Sequence, residues 1–254
     1  MLVVALVTLG AIIIRPTQAK VLVVGTNTPY PPFEYKELSG VGGFDMELIR
    51  TLALKAGYTS VVVKDMPYDR LLGALESGEI QVIASGFPIN SQQAQGAQFT
   101  APYWTVGQSV VMRAGSSSIA SAKDLAGLKV GSIDLIAQRR LVKTEWYTIV
   151  GGSGSGSVKD NVSGGSVYRY TSLGVAMDDL IAGKLDAVVI DSPVAESLAT
   201  RYAVTVALEM NEGTQYAFAV KAGNIALLDS LNSALAAFQG SPEWNALVLK
   251  YFGS

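Results

Sequence analysis

Four short segments place polar or aromatic side chains where an apolar strand is predicted to give way to a loop. They read TNTPYPPF, DMPYDR, SGFPIN and IDSP. In open α/β sheets, ligands bind just beyond the carboxyl ends of the strands, so these segments are expected to meet around a ligand. Asp191, in the last segment, ends a very apolar run, where a carboxylate needs a partner. The segments therefore predict a binding site for a small polar solute.

The composition narrows the chemistry that such a site can perform. The 254-residue chain contains no His and no Cys, which excludes His-based triads, Cys nucleophiles and disulfides. A formal net charge of −2 provides no electrostatic basis for binding nucleic acid or an anionic membrane. Catalysis would depend on carboxylates, Lys or Tyr. We therefore expect a monomeric binding protein, not an enzyme, with no metal and no cofactor.

The beginning of the chain has the pattern of a secretion signal. Residues 2–14 are uncharged and mostly apolar, and Arg15 and Pro16 follow them. This run is shorter than the roughly 20 residues that a membrane-spanning helix needs, and it leads to a small-residue cleavage pattern at 17–19. The sequence predicts a signal peptide over 1–19 and a periplasmic or secreted mature protein. An uncleaved anchor or a buried first strand is the alternative.

The elements that position the four segments alternate between strand and helix. The first five are VLVV, GFDMELIRTLALKAGY, SVVVKDM, YDRLLGALESGEI and IQVIASG. This βαβαβ order predicts a parallel sheet with right-handed crossovers. A similar order recurs after Ser121 and includes the strand 186–191, and two final helices flank Gly240 with Ser241 as an N-cap. We predict an α/β fold of two lobes, each a mainly parallel sheet flanked by helices.

Several motifs carry a family resemblance over about residues 20–254. They are GTNTPYPPFEY, GFDMEL, LLGALESGEIQVIASG, FTAPY, DLAGLKVG, GKLDAVVIDSPVA and the terminal KYFG. Together they resemble the amino-acid-binding branch of the type 2 periplasmic solute-binding proteins (extracellular family 3), which serve ABC importers. The resemblance implies lobe 1 over 20–106 plus 213–254, lobe 2 over 107–212, and a hinge that closes on the ligand, made of two crossing segments near 101–107 and 209–218. The implied partners are a small polar nitrogenous ligand and the importer's membrane subunits.

The resemblance also implies which residues bind the ligand. Tyr30 and Tyr68 match aromatic positions that sandwich the ligand, and Asp191 matches the carboxylate that holds its α-amino group. The loop GSGSGSV resembles the lobe 2 loop that binds the α-carboxylate through backbone N–H groups and a hydroxyl. The remaining candidates lie in that loop and in SGFPINSQQAQ; they are Ser85, Gly86, Phe87, Pro88, Gln93, Ser155 and Ser157.

The segment SGFPINSQQAQ departs from the family pattern at two positions. Gln93 stands where the family has an Arg that binds the α-carboxylate through two parallel hydrogen bonds. Pro88 stands where the family has Ser or Thr, and proline lacks even the backbone N–H. The surrounding residues 80–112 contain no charged side chain. The amine side of the site is kept, whereas the carboxylate side is not.

Two ligand classes fit this pattern. In the first, the ligand is an amine without an α-carboxylate, with Asp191 as its counter-ion and the tyrosines as cation–π faces. In the second, an amino acid binds, and its carboxylate is held by the GSGSGS backbone or by a cation of the atypical stretch 132–152, which contains Arg139, Arg140 and Lys143. An unpaired carboxylate in a closed cleft costs several kcal/mol, so we favour the first class.

Two other functions remain open at this point. A dehydratase-type enzyme is built on the same scaffold, and Glu34 or Asp69 would be its candidate proton donor. A ligand-sensing domain of a receptor is the second, since glutamate-receptor channels contain the same module.

Overall fold

The computed structural model describes residues 19–89, 96–117, 119–133, 159–162, 165–170 and 172–253. Within these ranges the backbone forms a five-stranded sheet, a six-stranded sheet and a two-stranded hairpin. Helices flank the two larger sheets, so the predicted α/β class is confirmed. The predicted signal peptide and most of the atypical stretch 132–152 lie outside the described residues.

The strands are numbered in chain order. They are β1 (Val21–Thr26), β2 (Tyr35–Glu37), β3 (Gly40–Gly42), β4 (Ser60–Asp65), β5 (Val82–Ile83), β6 (Ala97–Phe99), β7 (Trp104–Arg113), β8 (Lys129–Ile133), β9 (Lys159–Val162), β10 (Gly165–Tyr170), β11 (Ala187–Asp191), β12 (Val204–Tyr216) and β13 (Ala219–Lys221).

The helices are also numbered in chain order. They are α1 (Phe44–Lys55), α2 (Leu71–Ser77), α3 (Leu173–Ile181), α4 (Ser192–Ala199), α5 (Ile225–Phe238) and α6 (Pro242–Phe252). Short 3₁₀ turns precede α2 and β8; they span Tyr68–Arg70 and Ala122–Leu125. None of the helices that the structure describes has the length and apolar character that a bilayer crossing requires.

The five-stranded sheet has the order β4-β1-β5-β13-β6. Strands β1, β4 and β5 are parallel, as the alternation of strands and helices predicts, and Val24 of β1 lies opposite Val63 and Val82. Strand β13 is antiparallel to both of its neighbours. Because three parallel strands end at one edge, the loops after β1, β4 and β5 meet there.

The six-stranded sheet has the order β12-β7-β11-β8-β10-β9. Strand β11 runs parallel to β8 and antiparallel to β7, so this sheet is mixed. All five residues of β11 are buried, which explains the continuous apolar run of its sequence. Its last residue, Asp191, ends that apolar run at the carboxyl end of the strand.

The chain crosses between the two larger sheets at residues 100–103 and 217–218. The two crossings are hydrogen-bonded to each other: the Thr100 N–H donates to the Phe218 carbonyl at 2.9 Å, and the Tyr103 N–H donates to the Tyr216 carbonyl at 2.9 Å. The rings of Tyr103 and Phe218 stack with centroids 4.6 Å apart. These crossings coincide with the segments predicted as a hinge, whereas the lobe boundaries and the hinge motion stay predictions.

Local signals of the sequence agree with the observed ends of the helices. Gly78 ends α2 in the left-handed region, with φ 82°, which glycine adopts without a Cβ penalty. The Ser241 hydroxyl accepts a hydrogen bond from the Trp244 N–H at 3.1 Å and so caps α6, as predicted. The β2–β3 hairpin was not predicted, because three-residue strands carry too short a pattern to recognise.

Candidate functional site

The candidate site lies where the loops after β1 and β5 approach the end of β11. The loop after β1 contains Tyr30, and the loop after β5 contains the segment 85–88. Asp191 is the last residue of β11 and belongs to the other sheet. The structure therefore brings together residues that the sequence separates by more than a hundred positions.

Asp191 turns its carboxylate towards residues outside its own helix. It is the N-cap residue of α4, yet its side chain makes no capping hydrogen bond. Instead, Oδ2 accepts hydrogen bonds from the hydroxyls of Tyr30, at 2.7 Å, and of Tyr216. The residue is 6% exposed. The Asp191 side chain therefore does not serve as a cap of α4.

Tyr30 is held in place by its own loop. Its N–H donates to the Glu34 carbonyl at 2.7 Å, and its carbonyl accepts from the N–H groups of Phe33 and Glu34. Its ring stacks on Phe33 with centroids 6.2 Å apart. The bond between the Tyr30 hydroxyl and Asp191 therefore connects an internally hydrogen-bonded loop, which follows β1 of the five-stranded sheet, to the six-stranded sheet.

Tyr216 is a site residue that the sequence prediction missed. It ends β12, beside the second crossing, and is 1% exposed. Burial, followed by the nearby carboxylate of Asp191, raises the pKa of its hydroxyl well above the ordinary value of 10, so the phenol stays a neutral donor. The only sequence signal was a tyrosine inside a segment already assigned to the hinge, and tyrosines there are usually packing residues.

The segment Ser85–Pro88 forms a wall beside the two tyrosines. Gly86 has a φ of 48°, and a Cβ built on it would lie 3.2 Å from the ring of Tyr216 and 3.3 Å from that of Tyr30. Pro88 forms an isolated bridge with Tyr216. Gly86 and Pro88 therefore border the group of residues around Asp191.

Phe87 and Tyr68 belong to a separate hydrophobic cluster. Their rings stack with centroids 5.4 Å apart and planes inclined by 14°, and Phe87 is 1% exposed. Tyr30 belongs to the larger core cluster, together with Tyr216. Tyr68 makes further contacts beyond this stacking. The sandwich of a ligand between Tyr30 and Tyr68, and the ligand contact of Phe87, stay predictions.

Two buried carboxyl groups accept hydrogen bonds from the segment Ser85–Pro88. The Ser85 hydroxyl donates to Glu34 Oε1 at 2.9 Å, and the Gly86 N–H donates to Asp45 Oδ2 at 2.7 Å. Both acids are 0% exposed. Asp45 lies in the first turn of α1, and it also accepts a hydrogen bond from the Tyr103 hydroxyl at 2.7 Å.

Burial is the largest influence on the pKa values of these two acids. It raises the pKa of Glu34 well above 4.5, and the nearby charge of Asp45 raises it further, whereas the hydrogen bond from Ser85 opposes the change. Burial raises the pKa of Asp45 to about 7, although the bonds from Gly86 and Tyr103 lower it. Loss of solvation disfavours the charged form of a carboxyl group, which explains the direction of both changes.

The other predicted site residues cannot be placed. Gln93, Ser155 and Ser157 lie outside the described residues, as do Arg139, Arg140 and Lys143. Within the described ranges, no ion pair involves Asp191, Glu34 or Asp45. In the same ranges, no three carboxylate side chains gather as a metal site would require.

The whole length of the fold matches one family of proteins. The model of the bacterial extracellular solute-binding proteins, family 3, matches residues 22–254. The chain belongs to this family. The resemblance of the sequence motifs is thereby confirmed, and the chain is an α/β solute-binding protein.

Individual relatives of this solute-binding protein carry the names of amino-acid receptors. It is 29% identical over 237 residues to the L-cystine-binding protein TcyJ of Escherichia coli. The aligned region covers 92% of this chain and 83% of that protein. A match at 39% identity to the arginine-binding extracellular protein ArtP of Bacillus subtilis covers only 44% of this chain and 43% of that protein. Among solved structures, an ancestral arginine-binding protein bound to arginine has a TM-score of 0.76 at 31% identity, over 93% of this chain and 100% of that one.

These names describe binding proteins, in agreement with the prediction that the protein is not an enzyme. The two candidate proton donors of a dehydratase are also poorly placed. Glu34 is wholly buried and bonded to Ser85, and Asp69 is exposed in the 3₁₀ turn before α2.

Proposed function

We propose that the protein is the extracytoplasmic receptor of an amino-acid-type ABC importer and that it holds the ammonium group of its solute at Asp191. The observation that supports this function is the hydrogen bond between Tyr30, in the loop after β1, and Asp191, at the end of β11. It places an acid between two sheets that are joined by two short crossings. We further infer that the protein acts in the periplasm or outside the cell and delivers its solute to the membrane subunits of the importer.

The surroundings of Asp191 suit a cationic ligand. Both phenols donate to Oδ2, so Oδ1 is the oxygen that we assign to the ligand's N–H groups. A carboxylate offers about four lone-pair positions, enough for two phenols and an ammonium group. Neutral phenols satisfy hydrogen bonds without contributing positive charge, so they leave the negative charge of the acid for a cation. The ring of Tyr30 adds a cation–π face.

We propose that the α-carboxylate contributes little to binding. Gln93 is neutral at the position where the family has an arginine, and amide groups do not replace a bidentate guanidinium. The relatives named for arginine and L-cystine favour an amino acid as the solute. The missing arginine and the names of the relatives are both explained if the protein binds a basic amino acid or a related amine mainly through the cationic groups of that ligand.

Thermal-shift measurements with matched ligands test this function. L-Arginine, L-arginine amide and agmatine share their guanidinium group and differ in the carboxylate, and L-ornithine and putrescine form a second series. A ligand at about 100 times its Kd stabilises the protein by about 2.7 kcal/mol, which raises the Tm by roughly 5–11 °C for a chain of this size. We expect the amide and the amines to raise the Tm at least as much as the parent amino acids.

Two variants serve as controls for this assay. Asp191→Asn is expected to abolish every shift, because the amide removes the charge that attracts the ammonium group. Gln93→Arg is expected to increase the shift by amino acids and leave that by agmatine unchanged. A larger shift for L-arginine than for its amide in the unaltered protein would overturn the proposed ligand class. Shifts that survive in Asp191→Asn would overturn the proposed site.

A further inference from the structure

Two consecutive residues of the site segment are each held by a different buried acid. Ser85 donates its hydroxyl hydrogen to Glu34 Oε1, and Gly86 donates its N–H to Asp45 Oδ2. Ser85 in turn accepts from the Asn27 N–H at 3.0 Å. The two acids come from different elements, the loop after β1 and the first turn of α1. The turn at 85–86 therefore depends on two carboxyl groups that solvent does not reach.

The same acids are connected to the ligand side of the site. The backbone of Glu34 exchanges hydrogen bonds with that of Tyr30, at 2.7 and 3.1 Å. Gly86 lies against the rings of Tyr30 and Tyr216. A shift of Glu34 or of the turn would therefore move the two phenols that hold Asp191.

The charge of the two acids is not balanced by a cation among the described residues. Glu34 Oε2 and Asp45 Oδ1 are buried, and neither has a hydrogen-bond partner within the described part of the chain. The groups that face them are the hydroxyls of Ser85 and Tyr103 and the negative charge of Asp65. Lys36 does not compensate either acid, since it pairs with Asp65 at 3.2 Å.

We propose that Glu34 and Asp45 are positioning residues, that Glu34 carries a proton at neutral pH, and that this proton holds the turn Ser85–Gly86 in its binding conformation. Two unpaired buried carboxylates would cost several kcal/mol, and binding a proton removes one of the charges. Asp45, once ionised above its pKa of about 7, accepts two charge-assisted hydrogen bonds, from Gly86 and Tyr103. The proposal rests on the proposed function, because it assigns the turn to the ligand site.

The sign of the pH effect follows from the raised pKa of Glu34. In the unfolded chain a glutamate releases its proton near pH 4.3, whereas native Glu34 retains it at higher pH. Unfolding above that pH therefore releases a proton, so this group makes the protein less stable as the pH rises. The loss continues until the pH reaches the native pKa of Glu34.

Unfolding in urea from pH 5 to 8, without ligand, tests the proton. Glu34→Gln keeps an oxygen that accepts from Ser85 and replaces the bound proton by an amide N–H; Glu37→Gln, on the exposed strand β2, is the matched control. We expect the folding equilibrium constant of the wild type, relative to Glu34→Gln, to fall by up to about tenfold per pH unit. Glu37→Gln is expected to follow the wild type. Parallel pH curves for the wild type and Glu34→Gln would overturn the assignment of the proton to Glu34.

Amide hydrogen exchange and calorimetry test the positioning. In Glu34→Leu, which removes the acceptor of Ser85, we expect the amide of Gly86 to exchange at least about tenfold faster, the equivalent of one lost hydrogen bond. We expect Glu34→Gln to keep the slow exchange and the wild-type affinity for L-arginine as the probe. Ser85→Ala is a milder variant if Glu34→Leu does not fold.

The outcomes separate this proposal from the proposed function. Fast exchange in Glu34→Gln, or slow exchange in both Glu34→Leu and Ser85→Ala, would overturn the positioning role. If L-arginine and the related amines do not bind the wild type, the proposed ligand class fails. Exchange at Gly86 and the pH dependence of unfolding still decide whether Glu34 carries the proton and the acids hold the turn.

Discussion

The two tyrosines on Asp191 are expected to have different effects when their hydroxyls are removed. The Tyr30 hydroxyl connects the two large sheets, whereas Tyr216 and Asp191 both belong to the six-stranded sheet. If the sheets separate when the site is empty, the first bond exists only in the closed protein and the second exists in both forms. Tyr30→Phe should therefore weaken ligand binding, and Tyr216→Phe should weaken the fold.

The expected sizes follow from the type of bond. A hydrogen bond to a charged acceptor contributes about 1.5–3 kcal/mol, and each 1.4 kcal/mol changes Kd about tenfold. Tyr30→Phe is thus expected to weaken binding about 10- to 100-fold, with a change of Tm in the empty protein below about 2 °C. Tyr216→Phe is expected to lower the Tm by about 3–12 °C and to change Kd less than about threefold.

Calorimetry with the best ligand of the screen, together with thermal unfolding of the empty protein, measures both quantities. Tyr202→Phe is a suitable control, because that tyrosine is 40% exposed and should change neither value. Equal losses of affinity in Tyr30→Phe and Tyr216→Phe would refute the division between a bond made on closure and a permanent bond. A large loss of stability in Tyr30→Phe alone would show that the sheets are already joined without ligand.

Two further substitutions test the packing of the site and the end of the fold. Gly86→Ala should lower the free energy of unfolding by about 1–3 kcal/mol, because it combines a left-handed φ with a Cβ at 3.2 Å from the Tyr216 ring. Gly57→Ala controls for the backbone, since Gly57 has φ 82° and open space around a built Cβ. Only Gly86→Ala should also weaken ligand binding in calorimetry, and equal effects of the two would contradict the contact. Ser241→Ala should lower stability by about 1 kcal/mol through loss of the cap of α6, whereas Ser230→Ala, in the interior of α5, should change the urea midpoint less.

Much of the fold could be predicted because its signals are local. The alternation of apolar strands and amphipathic helices predicted the parallel order of β1, β4 and β5. Gly78 and Ser241 marked helix ends through their own backbone and side-chain chemistry. The mixed character of the second sheet was less apparent, since nothing in the sequence of β7 reveals that its two neighbours run antiparallel to it.

The site was predicted only in part because its contacts are long-range. Asp191 could be singled out, since an acid at the end of an apolar strand is unusual and the family resemblance assigned it a role. Its partner Tyr216 could not, because a hydrogen bond between residues 25 positions apart leaves no periodic pattern. The burial of Glu34 and Asp45 was likewise not predictable, because it depends on the segment 85–88, which is distant in sequence and packs against both acids.

The hydrogen bond between the backbones of Tyr103 and Tyr216 joins the two crossings, so a displacement of one is transmitted to the other. Each of these tyrosines also donates its hydroxyl to a buried acid, Tyr103 to Asp45 and Tyr216 to Asp191. The same pair of residues thus joins the two crossings and fixes two buried carboxyl groups. Relatives that bind another solute are therefore expected to retain both tyrosines and to vary elsewhere around the candidate site, because a change at either one would disturb the crossings between the two sheets.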